Sequence, residues 1–129
     1  MNENLLSEDE EIKGIVITEA GYPSHGYDLI FTSHRLISYD KGLTYGGFHI
    51  GDSKIMIEHY NTLTLDEILE LGKYSMKWTR YNDIKKVVLK KGLKPRLYIE
   101  SPNVKGRFFY KKEYYENLKN LCNKFSLQI

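Results

Sequence analysis

The sequence predicts a mainly β domain of the α+β class: a partly open antiparallel β-barrel with a short inserted helix and a C-terminal helix that caps one end. Three observations support this fold class. Two short runs rich in aromatic and β-branched residues meet at a tight turn at Ser33-His34. A second, basic series of strands begins at Trp78, and a single amphipathic helix follows the last of them. Strands and helices do not alternate as in βαβ units, so a parallel sheet is not expected.

The first half of the domain contains three predicted strands. Residues 1–11 are acidic and are predicted to be a flexible lead-in, and residues 12–129 form one domain. The β-branched run Ile15 to Thr18 indicates the first strand. The predicted strands are residues 12–19, 27–32 and 35–40.

The middle of the chain is less regular and includes one short helix. Residues 41–51 hold four glycines and fit a loop or an irregular strand, whereas residues 52–61 fit a strand or a helical face equally well. Thr64 and Glu67 have the spacing of a capping box, and Gly72 is a natural helix end. The sequence therefore predicts a short helix between them that packs against the barrel.

The second half contains further strands and the terminal helix. Strands are predicted at residues 75–80, from residue 81, at 96–101 and at 107–111, with turns at 92–95 and 102–106. Residues 113–125 are predicted to be helical because apolar residues recur every three or four positions. That apolar face consists of Tyr114, Leu118, Leu121, Cys122 and Phe125.

Composition excludes several classes of protein. One cysteine cannot form an internal disulfide framework, and it fits a reducing compartment. No apolar run of 18 residues predicts a transmembrane helix, and the acidic N-terminal residues do not resemble a secretory signal. We therefore expect a cytoplasmic protein.

The modest net charge of +2 hides a strong division along the chain. Residues 1–72 contain 4 Lys or Arg and 13 Asp or Glu, a net charge of −9. Residues 73–129 contain 15 Lys or Arg and 4 Asp or Glu, a net charge of +11. Such a division indicates an anionic partner for the basic half, attraction within or between copies of the chain, or only a solvated surface.

Several strings resemble the prokaryotic branch of the pleckstrin-homology-like (PH-like) and GRAM-like families, in an uncharacterised subgroup. FTSHRLI at 31–37 resembles the LTNKRLI hairpin of these families, and YNDIKKV at 81–87 resembles their IPYSDIKSV strand. LTLDEILE at 63–70 is similar to an insertion in a small prokaryotic subgroup. The resemblance implies two nearly orthogonal sheets and a plugging C-terminal helix. Residues 19–28 contain no Lys or Arg, so the phosphoinositide-binding PH motif is missing.

The sequence offers no convincing catalytic or cofactor site. His25, His34, His49 and His59 are too scattered for a metal site, and Cys122 fits a buried small apolar residue better than a nucleophile. The glycine-rich segment at 42–51 lacks the order of a phosphate-binding loop. A non-enzymatic protein without cofactors is therefore expected. The outlying alternative is a small enzyme that uses His49 or His59 beside a carboxylate.

The basic hairpins at residues 85–112 are the one candidate site. Because outward positions on neighbouring strands lie about 5 Å apart, their cations and Tyr98 are expected to share one surface. This surface suits phospholipid headgroups or a nucleic-acid backbone, or it is only a charged outer face that keeps edge strands from aggregating. For the chain as a whole we expect a protein partner or self-association, with an exposed strand edge able to accept a peptide. The alternatives are binding to an anionic membrane through these hairpins and, third, nucleic-acid binding. The candidate residues are Lys86, Lys90, Lys91, Lys94, Arg96 and Arg107.

Overall fold

A computed structural model describes residues 9–20, 25–43 and 53–127 of the chain. In these residues the elements alternate between strand groups and helices, and short 3₁₀ turns occupy Tyr81–Asp83 and Lys112–Tyr114. The elements are β1 (Ile12–Ala20), β2 (His25–Thr32), β3 (Arg35–Leu43), α1 (Ser53–Asn61), α2 (Leu65–Gly72), β4 (Met76–Arg80), β5 (Lys86–Lys90), β6 (Arg96–Glu100), β7 (Lys105–Tyr110) and α3 (Tyr115–Lys124).

The seven described strands form one antiparallel sheet in the order β4-β3-β2-β1-β7-β6-β5. This confirms the predicted mainly β class. The sheet is not closed into a barrel, because β4 and β5 are its two edges. Only two pairs, Thr18 with Tyr110 and Glu19 with Phe109, join β1 to β7. The sheet therefore consists of two halves, β1–β4 and β5–β7, that are connected through a short ladder.

The two halves contribute side chains to the same inner cluster, so they face each other. Val16 and Phe31 come from the first half, and Leu97 and Phe108 come from the second. Leu118 of α3 is fully buried in this cluster, as the predicted apolar face requires. The wholly or nearly buried members are Val16, Leu29, Phe31, Leu36, Val87, Leu97, Ile99, Val104, Phe108, Tyr110, Leu118, Leu121 and Cys122.

A second apolar cluster lies on the outer face of the first half, where α1 and α2 cover the sheet. Successive strand residues point to opposite faces, so Leu36 enters the inner cluster and Ile37 the outer one. Ile68 of α2 is completely buried against this face. The cluster contains Ile15, Ile17, Ile30, Ile37, Tyr60, Leu65, Ile68 and Leu69.

The capping box of α2 forms as predicted. The Thr64 hydroxyl accepts a hydrogen bond from the Glu67 backbone N–H at 3.1 Å, and the Glu67 carboxylate accepts one from the Thr64 N–H at 3.0 Å. These bonds lower the pKa of the Glu67 carboxyl. In the ambiguous middle segment, residues 53–61 form α1, β3 extends to Leu43, and residues 44–52 lie outside the described part.

Residue 81 does not begin a strand, contrary to the prediction. Residues 81–83 form a 3₁₀ turn, and β5 starts only at Lys86. The Tyr81 hydroxyl donates to the carbonyls of Thr32 and Arg35 at 2.6 and 2.9 Å, and its ring stacks on Phe125 at 4.1 Å. Tyr81 therefore anchors the crossing between the two halves instead of joining the ladder.

The last residues of the acidic lead-in are held against the β2–β3 turn. The Ser33 N–H donates to the Glu11 carbonyl at 2.8 Å, and the Glu11 N–H donates to the Ser33 hydroxyl at 3.0 Å. The Glu10 carboxylate accepts from Arg35 Nε at 2.9 Å. Residues 1–8 lie outside the described part.

None of the helices in the described ranges is both long and apolar enough to cross a membrane.

Candidate binding face

The outer face of β5–β7 carries three cross-strand rows of side chains. The antiparallel register places Lys90 opposite Arg96, and Arg96 in turn opposite Phe109. The next row along the strands is Val88, Tyr98 and Arg107, and the third is Lys86, Glu100 and Lys105. All nine positions point away from the inner cluster because they alternate with buried residues such as Leu97 and Ile99.

These rows surround a shallow depression of about 670 Å³. Arg96, Tyr98 and Phe109 are half-buried and form its floor, whereas Lys86, Lys90 and the other rim cations are exposed. We call this surface the cationic face. It is lined by Lys86, Val88, Lys90, Lys94, Arg96, Tyr98, Glu100, Arg107 and Phe109.

Five of the six candidate residues come together on the cationic face, and one lies elsewhere. Lys91 directly follows the last residue of β5. Its ammonium lies 4.9 Å from the centre of the Tyr115 ring on α3. Lys91 thus forms a cation–π contact beside the terminal helix and does not line the depression.

None of the five cations of the cationic face forms an ion pair with another residue of the described ranges. Lys90 and Arg96 even occupy directly opposite positions, an arrangement of like charges that destabilises a sheet. Binding of an anionic group at this row would remove that repulsion.

One carboxylate lies at the far end of the depression. The Tyr98 hydroxyl donates to Glu100 Oε1 at 3.0 Å, and this bond raises the pKa of Tyr98. Lys105 Nζ is 3.9 Å from the same oxygen. The strongest positive charge is therefore concentrated at the other end, around Lys90, Lys94 and Arg96.

Three lining residues were not predicted from the sequence. Val88, Glu100 and Phe109 were not assigned to the candidate surface, although Phe109 is two positions from Arg107 and so shares its face. That spacing was the available signal. The apolar floor it adds changes the surface from a plain cluster of charges into a mixed cationic and aromatic one.

The two halves of the sheet differ in whether described helices cover their outer surfaces. In the first half, α1 and α2 bury the corresponding outer surface over Ile30 and Ile37. In the second half, the described chain places no helix over the cationic face, and α3 packs on the inner cluster. In the described part of the chain, one outer surface of the sheet is therefore covered by helices and the other is not.

A larger groove of about 700 Å³ lies between the start of β4 and the β6–β7 turn. Its carboxylate, Asp40, is already paired: His25 Nδ1 lies 3.1 Å from Asp40 Oδ1, and the Gly42 N–H donates to the same oxygen at 2.8 Å. Its polar groups are thus partly satisfied by neighbours, and we do not assign it as the binding site.

The remaining candidates for chemistry do not converge. Cys122 is completely buried in the inner cluster, and burial raises the pKa of its thiol to about 11, so it is an inert core residue. His59 is exposed on α1, and His49 lies outside the described part. Within the described ranges, no three His, Cys, Asp or Glu residues could together hold a metal ion.

Comparison with known proteins adds no relative. No protein-family model matches this chain, and neither the curated proteins nor the solved structures contain a significant match. The seven-strand antiparallel sheet with a C-terminal helix is consistent with a PH-like fold but is not specific to it.

Proposed function

We propose that this chain is a non-enzymatic, PH-like binding module that holds an acidic segment of a protein partner on the cationic face. The strand order, the C-terminal helix and the sequence resemblance at residues 31–37 and 81–87 support the PH-like assignment. The observation that carries the binding role is the row of Lys90, Arg96 and Phe109, which places two opposed cations beside an aromatic ring without a counter-ion from the described residues.

The dimensions of the face suit a helix or an extended segment. Three neighbouring strands span about 10 Å, close to the diameter of an α-helix, and the strand positions from Lys86 to Lys90 cover about 13 Å. Carboxylates of an acidic segment can reach the rim cations while its apolar side chains contact Tyr98 and Phe109. This mixture of charge and apolar surface is typical of protein interfaces.

Glu100 argues for a protein ligand over a nucleic acid at this face. The phosphates of a nucleic-acid backbone carry evenly spaced negative charges. The Glu100 carboxylate within the depression repels these charges. A protein segment can place a neutral or basic residue at that end.

The test is binding to poly-L-glutamate, measured by fluorescence anisotropy at low and high salt. We expect the double variant Lys90→Glu, Arg96→Glu to weaken binding by roughly tenfold or more, equivalent to at least about 1.4 kcal/mol. High salt should weaken binding by the wild-type chain in the same direction.

The matched control carries the same change in net charge at another surface. Lys112 and Lys119 are exposed, and they lie just before and on α3, which packs on the inner cluster. Lys112→Glu, Lys119→Glu should bind nearly as the wild type does. Equal losses in both variants would show that only net charge matters, and the cationic face would then not be the site.

A second candidate function is peripheral attachment to an anionic membrane, and one observation favours it. Leu93 is 105% exposed at the tip of the β5–β6 turn, between Lys91 and Lys94. Gly92 has a φ of 130°, which residues with a side chain rarely adopt, so the glycine permits this tight turn. An apolar tip among lysines can insert into the headgroup region while the cations contact lipid phosphates.

Co-sedimentation with phosphatidylcholine vesicles, with and without phosphatidylglycerol, tests this second function. Leu93→Ser should reduce binding to the anionic vesicles by roughly tenfold or more, since burying one leucine contributes about 1.5–3 kcal/mol. The control is Leu71→Ser, because Leu71 is also exposed, at 63%, but lies beside acidic residues of α2. Identical binding of Leu93→Ser and the wild type would exclude insertion of the tip.

A further inference from the structure

We infer that the acidic partner of the cationic face is a second copy of this chain, which docks the exposed side of its helix α2 there. This inference rests on the proposed function, because it names the partner for the same face. The occupant is chosen by charge complementarity between two surfaces that the fold places on different halves of one molecule.

The exposed side of α2 has the composition that the cationic face requires. Asp66, Glu67 and Glu70 are all exposed, and Leu63 and Leu71 lie beside them. Together these five residues line a shallow depression with a volume of about 420 Å³. Carboxylates and leucines on α2 thus match the cations and apolar floor of the cationic face.

The helix is held rigidly by its other side. Ile68 is fully buried and Leu69 is 3% exposed in the outer cluster, and the Thr64–Glu67 capping box fixes the first turn. A binding element that is ordered before binding loses little conformational entropy on docking. The acidic side of α2 is therefore presented in a fixed position.

The sizes of the two surfaces agree. α2 has eight residues and is about 12 Å long, against about 13 Å for the rows of the cationic face. Asp66 and Glu70 are four residues apart, so their carboxylates lie on the same side of the helix. Asp66 can meet a rim cation such as Lys90. Glu70 pairs with Lys73 of its own chain at 2.8 Å, but both side chains are exposed, so Glu70 can exchange this weak pair for Arg107 while Leu71 contacts the aromatic floor.

The geometry of the contact determines the type of assembly. The cationic face lies on β5–β7 and the acidic surface on α2, so one copy uses a different surface from its neighbour. Such a contact closes into a two-fold dimer if two copies exchange it reciprocally, and it forms a larger ring or an open chain if they do not. Since the contact is small and charged, the assembly should be weak and should dissociate at high salt.

A charge-swap experiment tests the pairing of these two surfaces. One chain carries Lys90→Glu and Arg96→Glu, and a second carries Asp66→Lys and Glu70→Lys. In the first chain the altered face carries three cations and three carboxylates, and in the second the altered α2 repels the intact cationic face. Each variant alone should therefore remain monomeric in low salt by analytical ultracentrifugation. Their mixture restores the wild-type contact between α2 of the first chain and the cationic face of the second, so it should assemble where neither variant does.

The outcomes separate the inference from the proposed function. If both variants and the wild type are monomeric at low salt, but the wild type binds poly-L-glutamate and Lys90→Glu, Arg96→Glu does not, the face is a binding site and the partner is not a second copy. If poly-L-glutamate binding is also absent, the proposed function fails as well.

A third chain checks the specificity of the pairing. The chain with Lys112→Glu and Lys119→Glu has the same net charge as the chain altered at the cationic face. Because it keeps both docking surfaces, it should assemble alone as the wild type does. A loss of its assembly equal to that of the Lys90→Glu, Arg96→Glu chain would show that net charge alone drives association, and would overturn the inference. Circular dichroism of each variant verifies that it is folded.

Discussion

At the scale of single residues, the most consequential polar contact is the buried ion pair between Glu10 and Arg35. The side chains are only 2% and 5% exposed, and Glu10 also accepts a 2.6 Å hydrogen bond from the Thr32 hydroxyl. The Arg35 guanidinium lies 4.9 Å from the centre of the Trp78 ring. A glutamate of the acidic lead-in is thus part of the folded domain.

Replacing Glu10 by alanine should lower the free energy of unfolding by about 3 kcal/mol. This is the low end of the cost of removing one partner of a buried ion pair, because Arg35 keeps its contact with Trp78. Urea denaturation monitored by Trp78 fluorescence measures the change. Glu11 is the control, because its carboxylate is exposed and pairs only with Lys13 at 2.8 Å among the described residues.

Glu11→Ala should leave the urea midpoint nearly unchanged, since the bonds between Glu11 and Ser33 use the Glu11 backbone. Equal midpoints for the Glu10→Ala variant and the wild type would show that the carboxylate of the lead-in does not stabilise the fold in solution.

At the scale of elements, the sequence predicts a helix or strand correctly where its residue pattern fits only one type of secondary structure. α2 carries a capping box and apolar positions at helical spacing, and it forms as predicted. The apolar positions Leu97 and Ile99 of β6 alternate with polar neighbours, and both are buried. Local chemistry sufficed for these elements because tertiary contacts reinforce the local preference.

Elements that depend on distant contacts could not be assigned. In residues 52–61 the spacing of the apolar residues fits a strand and a helix equally well. α1 forms there because Ile57 and Tyr60, three positions apart, both contact the outer cluster. The Tyr60 hydroxyl also donates a short hydrogen bond to the buried Asp28 of β2. Neither contact can be read from the local sequence.

Trp78 and Tyr81 show the same limit. Trp78, at which the predicted basic strands begin, is half-buried at the border of the outer cluster under Arg35, a placement that the local pattern does not specify. Tyr81 leaves the strand pattern because its hydroxyl bonds to the β2–β3 hairpin, almost fifty residues earlier. For the cationic face, strand alternation predicted five of the six cations, with Lys91 as the exception, whereas the apolar floor required the register between β6 and β7.

At the scale of the whole molecule, buried hydroxyls and a buried thiol determine how stability depends on pH. Burial raises the pKa of Tyr110 to about 12 and that of Cys122 to about 11. The pKa values of Tyr60 and Tyr81 are raised more than that of Tyr110. Burial is the main cause for both, and the nearby Asp28 adds to it for Tyr60. Each group therefore keeps its proton to higher pH in the folded state than in the unfolded chain, where it titrates near 9 or 10.

Stability should accordingly be constant up to about pH 9 and fall steadily above it. Between its unfolded and folded pKa, each such group removes about 1.4 kcal/mol per pH unit. Urea midpoints measured from pH 8 to about pH 11 test this. In Tyr110→Phe the midpoint should be lower at pH 8, because the bond to the Lys90 carbonyl is lost, but it should fall less steeply above pH 10. An unchanged midpoint up to pH 11 would contradict the burial of these groups.

The two-pair ladder between β1 and β7 has a consequence for synthesis on the ribosome. Among the described elements β1 precedes the other strands, whereas its second neighbour β7 is the last of the strands and α3, which fills the inner cluster, follows β7. The nascent chain must therefore hold Val16, Leu29 and Phe31 without their partners from β7 and α3 while roughly ninety further residues are translated. During that interval the half-built sheet exposes apolar surface that chaperones recognise, and productive folding waits for residues 108–125 to emerge.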